Sequence, residues 1–208
     1  MIETPDFSGV PNLEHLNLEG CESLVKVHPS LGELKRLVEI ILSGCFKLEI
    51  LPRKLETNSL KRLNLDGCEK VAVLPKFGEG MNELSYIDVS FIDTTRLPKS
   101  LDSLTVLEYL DLGGCKILRL DKLKTPIVRQ ISSINVTSLT ELYLDGRGLN
   151  DGSILDNFGG LSSLIALDLG GNSFVNLPPG CFSSLSRLLY LFWIIAKGSS
   201  HCHGFHHG

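Results

Sequence analysis

Along most of the chain one apolar frame returns: leucine, two residues, leucine, one residue, leucine, two residues, then a cysteine or a polar side chain. The fullest copy is LKRLNLDGCEKVAVLP, with Leu60, Leu63, Leu65 and Cys68 followed by Val71, Leu74 and Pro75. The same frame reads Leu13/Leu16/Leu18/Cys21, Leu37/Ile40/Leu42/Cys45, Leu84/Ile87/Val89/Ile92 and Leu107/Leu110/Leu112/Cys115. It continues as Leu139/Leu142/Leu144/Arg147, Leu164/Leu167/Leu169/Asn172 and a degraded Leu188/Leu191/Trp193. Successive first leucines are 24, 23, 24, 23, 32, 25 and 24 residues apart. A period held that closely predicts one supersecondary unit stacked many times.

The spacing within a unit predicts its shape. Leu63 and Leu65 alternate with Arg62, Asn64 and Asp66, which is the period of a short strand with one face buried. Such a strand is marginal alone, so its leucines must be covered by the copies on either side, in parallel. Each fully buried leucine contributes about 1.5–3 kcal/mol, set against the entropy of ordering the chain. The Cys or Asn slot turns the chain inward, where its side chain can donate to backbone carbonyls of the turn. Leu-Pro pairs at Leu51-Pro52, Leu74-Pro75, Leu97-Pro98 and Leu177-Pro178 hold the return arm extended and out of a regular helix. SLGELKRL, SLDSLTVL and CFSSLSRL read as one or two turns of helix or 3₁₀ on the far side. The expected fold is an α/β solenoid of leucine-rich-repeat type: a right-handed superhelix with a concave parallel β-sheet and convex short helices or 3₁₀ turns. The expected division is a repeat array over 1–193 and an irregular tail over 194–208. An insertion near 123–136 lengthens the step from Cys115 to Leu139 to 24 residues, where other repeats need 15 to 17.

Composition narrows the function. A net charge of −4 and the lack of a basic stripe speak against nucleic acid as a partner. No apolar run reaches the roughly 18 residues needed to span a bilayer, and MIETPDFSGV lacks the basic start and apolar run of a secretory signal. Six cysteines, four of them at one repeated slot, fit reduced structural thiols better than a disulfide framework. Each is expected buried in its own turn, apolar and inert. His201, Cys202, His203, His206 and His207 are potential ligands, but a terminal low-complexity run lacks the paired spacing of a metal site. Gly152–Gly160 has no following Lys-Ser/Thr, and neither a nucleophile elbow nor a dinucleotide fingerprint is present. No cofactor, no metal and no catalytic residue are expected. The Asn135-Val136-Thr137 sequon matters only for an exported chain.

Specificity must then lie in the side chains that the frame leaves free on the sheet. These carry eight acids and one arginine: Glu19, Glu39, Asp66, Asp88, Asp111, Glu141, Asp145 and Asp168 against Arg62. Tyr86, Tyr109 and Tyr143 add amphipathic rings of the kind enriched at recognition surfaces. Those twelve residues form the expected partner-binding face, suited to a basic or mixed-charge protein surface. The alternative is that the acids merely keep the sheet soluble.

The frame with cysteine in the turn and Leu-Pro on the return arm resembles the cytoplasmic plant class of leucine-rich repeats. TPDFSGVPNLEHLNLEGCESL is similar to the first repeats after the nucleotide-binding region of plant TIR-type nucleotide-binding leucine-rich-repeat disease-resistance proteins. LNDGSILDNFGGLSSLIALDLGGNSFVNLP resembles the distal repeats of that family. The resemblance implies a cytoplasmic or nucleo-cytoplasmic immune receptor. In it the repeats sense a pathogen effector or a host guardee and restrain a nucleotide-binding domain. It further implies that NAD-cleaving or nucleotide-binding activity would reside outside these residues, so a non-enzymatic fragment is expected. An extracellular receptor or inhibitor module would instead show an export signal, paired cap cysteines and L-x-G-x-I-P arms; only Gly152-Ser153-Ile154 approaches the last. A truncated product without independent function is the remaining alternative.

Overall fold

The computed structural model describes residues 1–94, 97–114, 136–151, 158, 160–177 and 179–193. Eight three-residue strands stack in chain order into one parallel sheet. They are β1 (His15–Asn17), β2 (Glu39–Ile41), β4 (Arg62–Asn64), β6 (Tyr86–Asp88), β7 (Tyr109–Asp111), β8 (Glu141–Tyr143), β9 (Ala166–Asp168) and β10 (Tyr190–Phe192). The pairing is in strict register, so equivalent residues of each repeat lie side by side: Leu16, Ile40, Leu63, Ile87, Leu110, Leu142, Leu167 and Leu191 form one inward row.

Burial follows position in the stack. Ile40, Leu63, Ile87, Leu110, Leu142 and Leu167 are buried, whereas Leu191, with no further strand beside it among the described residues, is 40% exposed. The inward row is therefore dry wherever a neighbour lies on both sides, as expected for a quasi-one-dimensional core, and of the two edge strands β1 keeps its Leu16 at 9% exposure while β10 does not.

The inward slot after each strand works by one geometry. The Cys45 thiol donates to the Leu18 carbonyl at 3.2 Å and the Cys68 thiol to Leu42 at 3.1 Å. Asn172 Nδ2 donates to Leu144 at 2.9 Å. Each reaches the carbonyl of the third leucine in the preceding repeat. Arg147 occupies the same slot, and its Nε–H donates to the Leu112 carbonyl in the same way. Asn172 does more than the thiols: Nδ2 also donates to Leu169 at 2.9 Å, and Oδ1 accepts the Arg147 and Leu149 amides at 3.0 and 3.1 Å. The four described cysteines are free. Cys45, Cys68 and Cys181 are buried, but Cys21 is only half-buried, a departure from the expected uniform ladder, because its repeat lies at the open end of the stack. Burial pushes the Cys68 thiol up to about 12, so it stays a thiol, not a nucleophile. Cys115 lies outside the described residues.

On the side away from the sheet, 3₁₀ turns η1 (Pro29–Glu33) and η2 (Lys99–Ser103) replace full helices. Their serines tie neighbouring repeats together: Ser30 Oγ accepts the Phe7 amide and Ser100 Oγ the Phe77 amide, both at 2.8 Å. The CFSSLSRL stretch forms turns only. A second, two-stranded parallel sheet pairs β3 (Lys54–Leu55) with β5 (Lys76–Phe77) on the return arms. That sheet has no counterpart in the leucine pattern. Residues 123–135 of the insertion and the 194–208 tail lie outside the described residues, as do most of Gly152–Gly160.

Candidate functional site

Register decides which free side chains meet. Position one of the strands gives the row His15, Glu39, Arg62, Tyr86, Tyr109, Glu141, Ala166 and Tyr190. Position three gives Asn17, Ile41, Asn64, Asp88, Asp111, Tyr143, Asp168 and Phe192. Two residues beyond position three lie Glu19, Asp66 and Asp145. The concave face is thus two continuous rows and a partial third, on strands about 4.8 Å apart.

Tyr86 and Tyr109 of the first row and Tyr143 of the second build an aromatic stack. Tyr86 and Tyr109 lie 4.2 Å apart between ring centroids with their planes 8° from parallel. Tyr143 follows at 5.3 Å from Tyr109, tilted by 38°. On the other side of Tyr86 sits the Arg62 guanidinium, 3.8 Å above the ring centroid. Each tyrosine hydroxyl donates to an acid on its own strand: Tyr86 to Asp88 and Tyr109 to Asp111 at 3.4 Å, Tyr143 to Glu141 at 2.9 Å. Burial, ahead of the nearby carboxylates, pushes all three phenol groups above their ordinary range.

The second row behaves differently from the sequence expectation. Asp88, Asp111 and Asp168 do not simply project into solvent. Each side chain accepts a backbone amide two residues on: Ser90 at 3.1 Å, Gly113 at 2.7 Å and Gly170 at 2.7 Å. Asn17 and Asn64 do the same for Glu19 and Asp66, both at 2.9 Å. These are Asx turns that close the strand into the next bend. Asp88 is only 9% exposed, and Ser90 Oγ bridges Asp88 to Asp66 at 2.7 and 2.8 Å. The acids therefore help hold the turns as well as charging the face, and solubility alone does not account for them. The signal was present as Asn or Asp recurring two residues after the strand's first outward position.

The cost of grouping these carboxylates appears in their proton affinity. Burial, with Asp88, Asp145 and Asp66 adding negative charge, raises Asp111 to about 7. Asp88, Asp145 and Asp168 are raised in the same direction, chiefly by burial. Arg147, which holds the Cys or Asn slot of its repeat, is buried by this row; burial lowers its proton affinity while Asp111 and Asp145 oppose the shift. Glu39 is engaged by His15 Nδ1 at 2.9 Å and stands with Glu19 at the far end of the sheet, away from the tyrosines. Asp168 lies at the opposite end, closing its own turn. The structure thus concentrates Arg62, Asp66, Tyr86, Asp88, Tyr109, Asp111, Glu141, Tyr143 and Asp145 across β4–β8 and leaves Glu19, Glu39 and Asp168 outside.

A shallow groove of about 460 Å³ lies at the foot of this patch, lined by Ser85, Tyr86, Glu108, Tyr109, Thr140, Glu141 and Tyr143. Ser85, Glu108 and Thr140 precede their strands, where the leucine frame gave no reason to look. Among the described residues no group of three or more His, Cys, Asp and Glu is placed to hold a metal ion, and no helix is long and apolar enough to cross a membrane.

Comparison with known proteins agrees with this architecture. The Leucine Rich Repeat family matches residues 163–185. The chain is 29% identical to the TMV resistance protein N of Nicotiana glutinosa, over 90% of this chain and 22% of that protein. It is 34% identical to the disease resistance protein RPP5 of Arabidopsis thaliana, over 86% of this chain and 11% of that protein. The chain is a leucine-rich-repeat array of the plant disease-resistance class. Among solved structures, the leucine-rich repeat domain of the type III effector XCV3220 (XopL) shares the fold, with a TM-score of 0.53 and 20% identity. That match covers 92% of this chain and 72% of the domain. The repeat array therefore spans under a quarter of the length of these two resistance proteins, and it supports the reading of an immune-receptor repeat module. Leucine-rich repeats generally serve as scaffolds for protein contact.

Proposed function

We propose that this array is a non-enzymatic, intracellular recognition module that reads a protein surface with the concave patch over β4–β8. In a longer receptor the same face, or its flanks, would also hold the nucleotide-binding domain at rest until a pathogen effector, or a host protein altered by one, engages it. The observation that supports this most directly is the patch itself: a stacked aromatic row bordered by carboxylates, on a sheet whose rigid register fixes every side chain. Aromatic rings with polar tips are the anchors that protein interfaces favour. Elsewhere among the described residues, exposed ion pairs link neighbouring repeats, such as Arg36–Glu14, Lys61–Glu83 and Lys70–Glu49. Pairs of that kind contribute little to stability, and among the described residues none of them involves Asp66, Asp88, Asp111, Glu141 or Asp145 of the concave patch.

Proximity labelling in plant cells tests the reading. The array is expressed beside a variant carrying Arg62→Glu, Tyr86→Ser and Glu141→Lys, and a control carrying Glu22→Lys and Lys47→Glu outside the sheet. With melting temperatures matched, the concave variant is expected to lose the labelled partner set and the control to keep it. Identical sets for all three would refute a concave recognition face.

A further inference from the structure

One bend in the stack departs from the others. Just beyond the partial third row the chain turns through a left-handed residue, and Gly20, Gly44, Gly67, Gly146 and Gly171 do this with φ between 59° and 71°. Phe91 stands at the same place. Its amide donates to the Gly113 carbonyl at 2.8 Å, as the Gly67 amide donates to Ser90 at 3.1 Å. Its φ is 57°, and among the described residues it is the one residue other than glycine with a positive value. Left-handed backbone is strained for any side chain with a Cβ, most of all a bulky one, and such strain persists where function or surroundings demand it. The next bend makes room for Phe91, since a Cβ on Gly114 would stand 3.2 Å from the Phe91 Cα. The Phe91 side chain is half-buried. Phe46, 49% exposed, lays its Cε1 against bare Gly67, 3.5 Å from where a Cβ would be. Phe46, Gly67, Phe91 and Gly114 thus line one apolar ledge at the border of the concave face. Charge runs directly beside it: Asp66 and Ser90 immediately precede Gly67 and Phe91, and Ser90 Oγ bonds both Asp66 and Asp88. No ion pair among the described residues involves either carboxylate.

Resting on the concave-face reading, we propose that Phe91 and Phe46 are the apolar anchor of that surface, and that the ledge receives a protein segment carrying an apolar side chain beside a lysine or arginine. The bend itself needs only a glycine, as five other repeats show, so the aromatic ring at 91 is kept against the backbone's preference. Rings on a ledge with a polar border are the anchors that carry much of the energy of protein interfaces. The charge beside the ledge selects the neighbouring residue of the partner: Asp66 and Asp88 lie on adjacent strands, are held in place by Ser90 and lack a cationic partner. A basic side chain next to the apolar one meets both carboxylates, whereas an acidic one is repelled.

The test uses the whole chain, immobilised, with a phage-displayed library of random linear peptides as probe. Clones are compared on the unsubstituted chain, Phe91→Gly, Phe91→Asn, Phe46→Ser and Val73→Ser, the last an exposed change on a return arm. Capture is expected to fall about tenfold or more in both Phe91 variants and about threefold or more in Phe46→Ser, and to stay unchanged in Val73→Ser. Asn tolerates the same bend without glycine's freedom, so loss in both Phe91 variants reports the missing ring. The clones that depend on Phe91 are expected to place Lys or Arg next to a Leu, Ile, Phe or Trp. Urea unfolding supplies the readout that a merely structural ring would move the other way: Phe91→Gly is expected to match or exceed the unsubstituted midpoint, because the strain is released. A lower midpoint in Phe91→Gly assigns the ring to the fold and overturns the proposal, as does equal capture by the Phe91 variants. Phe91-dependent clones without a basic residue overturn the partner's chemistry. If no Phe91-dependent clone emerges while the concave variant still loses its labelled set, the ledge falls and the recognition face stands. If both fail, the face falls with it.

Discussion

Asn172 is the most demanding test of how the turns are held. Its side chain donates to the Leu144 and Leu169 carbonyls and accepts from the Arg147 and Leu149 amides, all between 2.9 and 3.1 Å, at a site 5% exposed. Asn172→Ala leaves those four backbone groups without partners. A net hydrogen bond contributes about 0.5–1.5 kcal/mol, and a buried group left unsatisfied costs at least that. Four such losses sum to about 4 kcal/mol, which a water entering the vacated space would trim to about 3 kcal/mol. Cys68→Ala gives the scale for comparison. There a single Sγ–H bond to Leu42 is lost with one buried sulfur, for about 1–2 kcal/mol. Urea unfolding of both variants measures the difference, expected to be about 2 kcal/mol in favour of Cys68→Ala. Because a solenoid opens locally, amide hydrogen exchange supplies the second readout: Arg147 and Leu149 lose protection in Asn172→Ala, and strands β2 and β4 do not. Equal destabilisation by the two substitutions, or unchanged exchange at Arg147 and Leu149, would refute the claim that this amide organises the turn.

Two further outcomes follow from the charge row and the open end. Asp111 binds its proton more tightly folded, at about 7, than unfolded, near 4. Its contribution is therefore fully present below about pH 4 and is lost as pH rises through about 7, so stability should fall between about pH 4 and pH 7. Asp111→Asn keeps an acceptor for the Gly113 amide and should flatten that slope in urea midpoints; an unchanged slope sinks the assignment. At the other end, Leu189 just before β10 is 74% exposed, with Leu191 at 40% and Phe192 at 47% on β10 itself, the edge strand of the sheet among the described residues. The isolated chain should self-associate through it, and Leu189→Lys with Phe192→Lys should restore a monomer in light-scattering chromatography; a monodisperse unsubstituted chain refutes this.

How far the sequence foretold this molecule depended on periodicity. Leu60, Leu63 and Leu65 announce themselves because their apolar spacing recurs through the repeats until the degraded last copy, and their burial follows from stacking alone. The position of each outward residue was equally legible, since register copies the frame. What lay beyond reach was chemistry between repeats that does not recur. The β3–β5 sheet depends on how two return arms happen to lie, not on a leucine pattern. Arg147 reads as a break in the Cys and Asn slot, yet its guanidinium reaches the same carbonyl that a thiol or amide would. Glu108 and Thr140 precede their strands and gain meaning only when the neighbouring copies set them around one groove. The acids of the second row looked like free charge because the sequence does not show that an Asp beside a bend will bond its own backbone.

That last feature separates two things usually entangled in a protein surface. Asn and Asp accept the same backbone amide in the same bend, so exchanging one for the other alters charge while the turn stays closed. The chain already uses both: Asn17 and Asn64 toward one end, Asp88, Asp111 and Asp168 toward the other. Read along the solenoid axis, the row is a sequence of neutral and negative marks written on an unchanging backbone. A different string of Asn and Asp would give a surface of different polarity with the same shape, one repeat at a time, without touching a leucine.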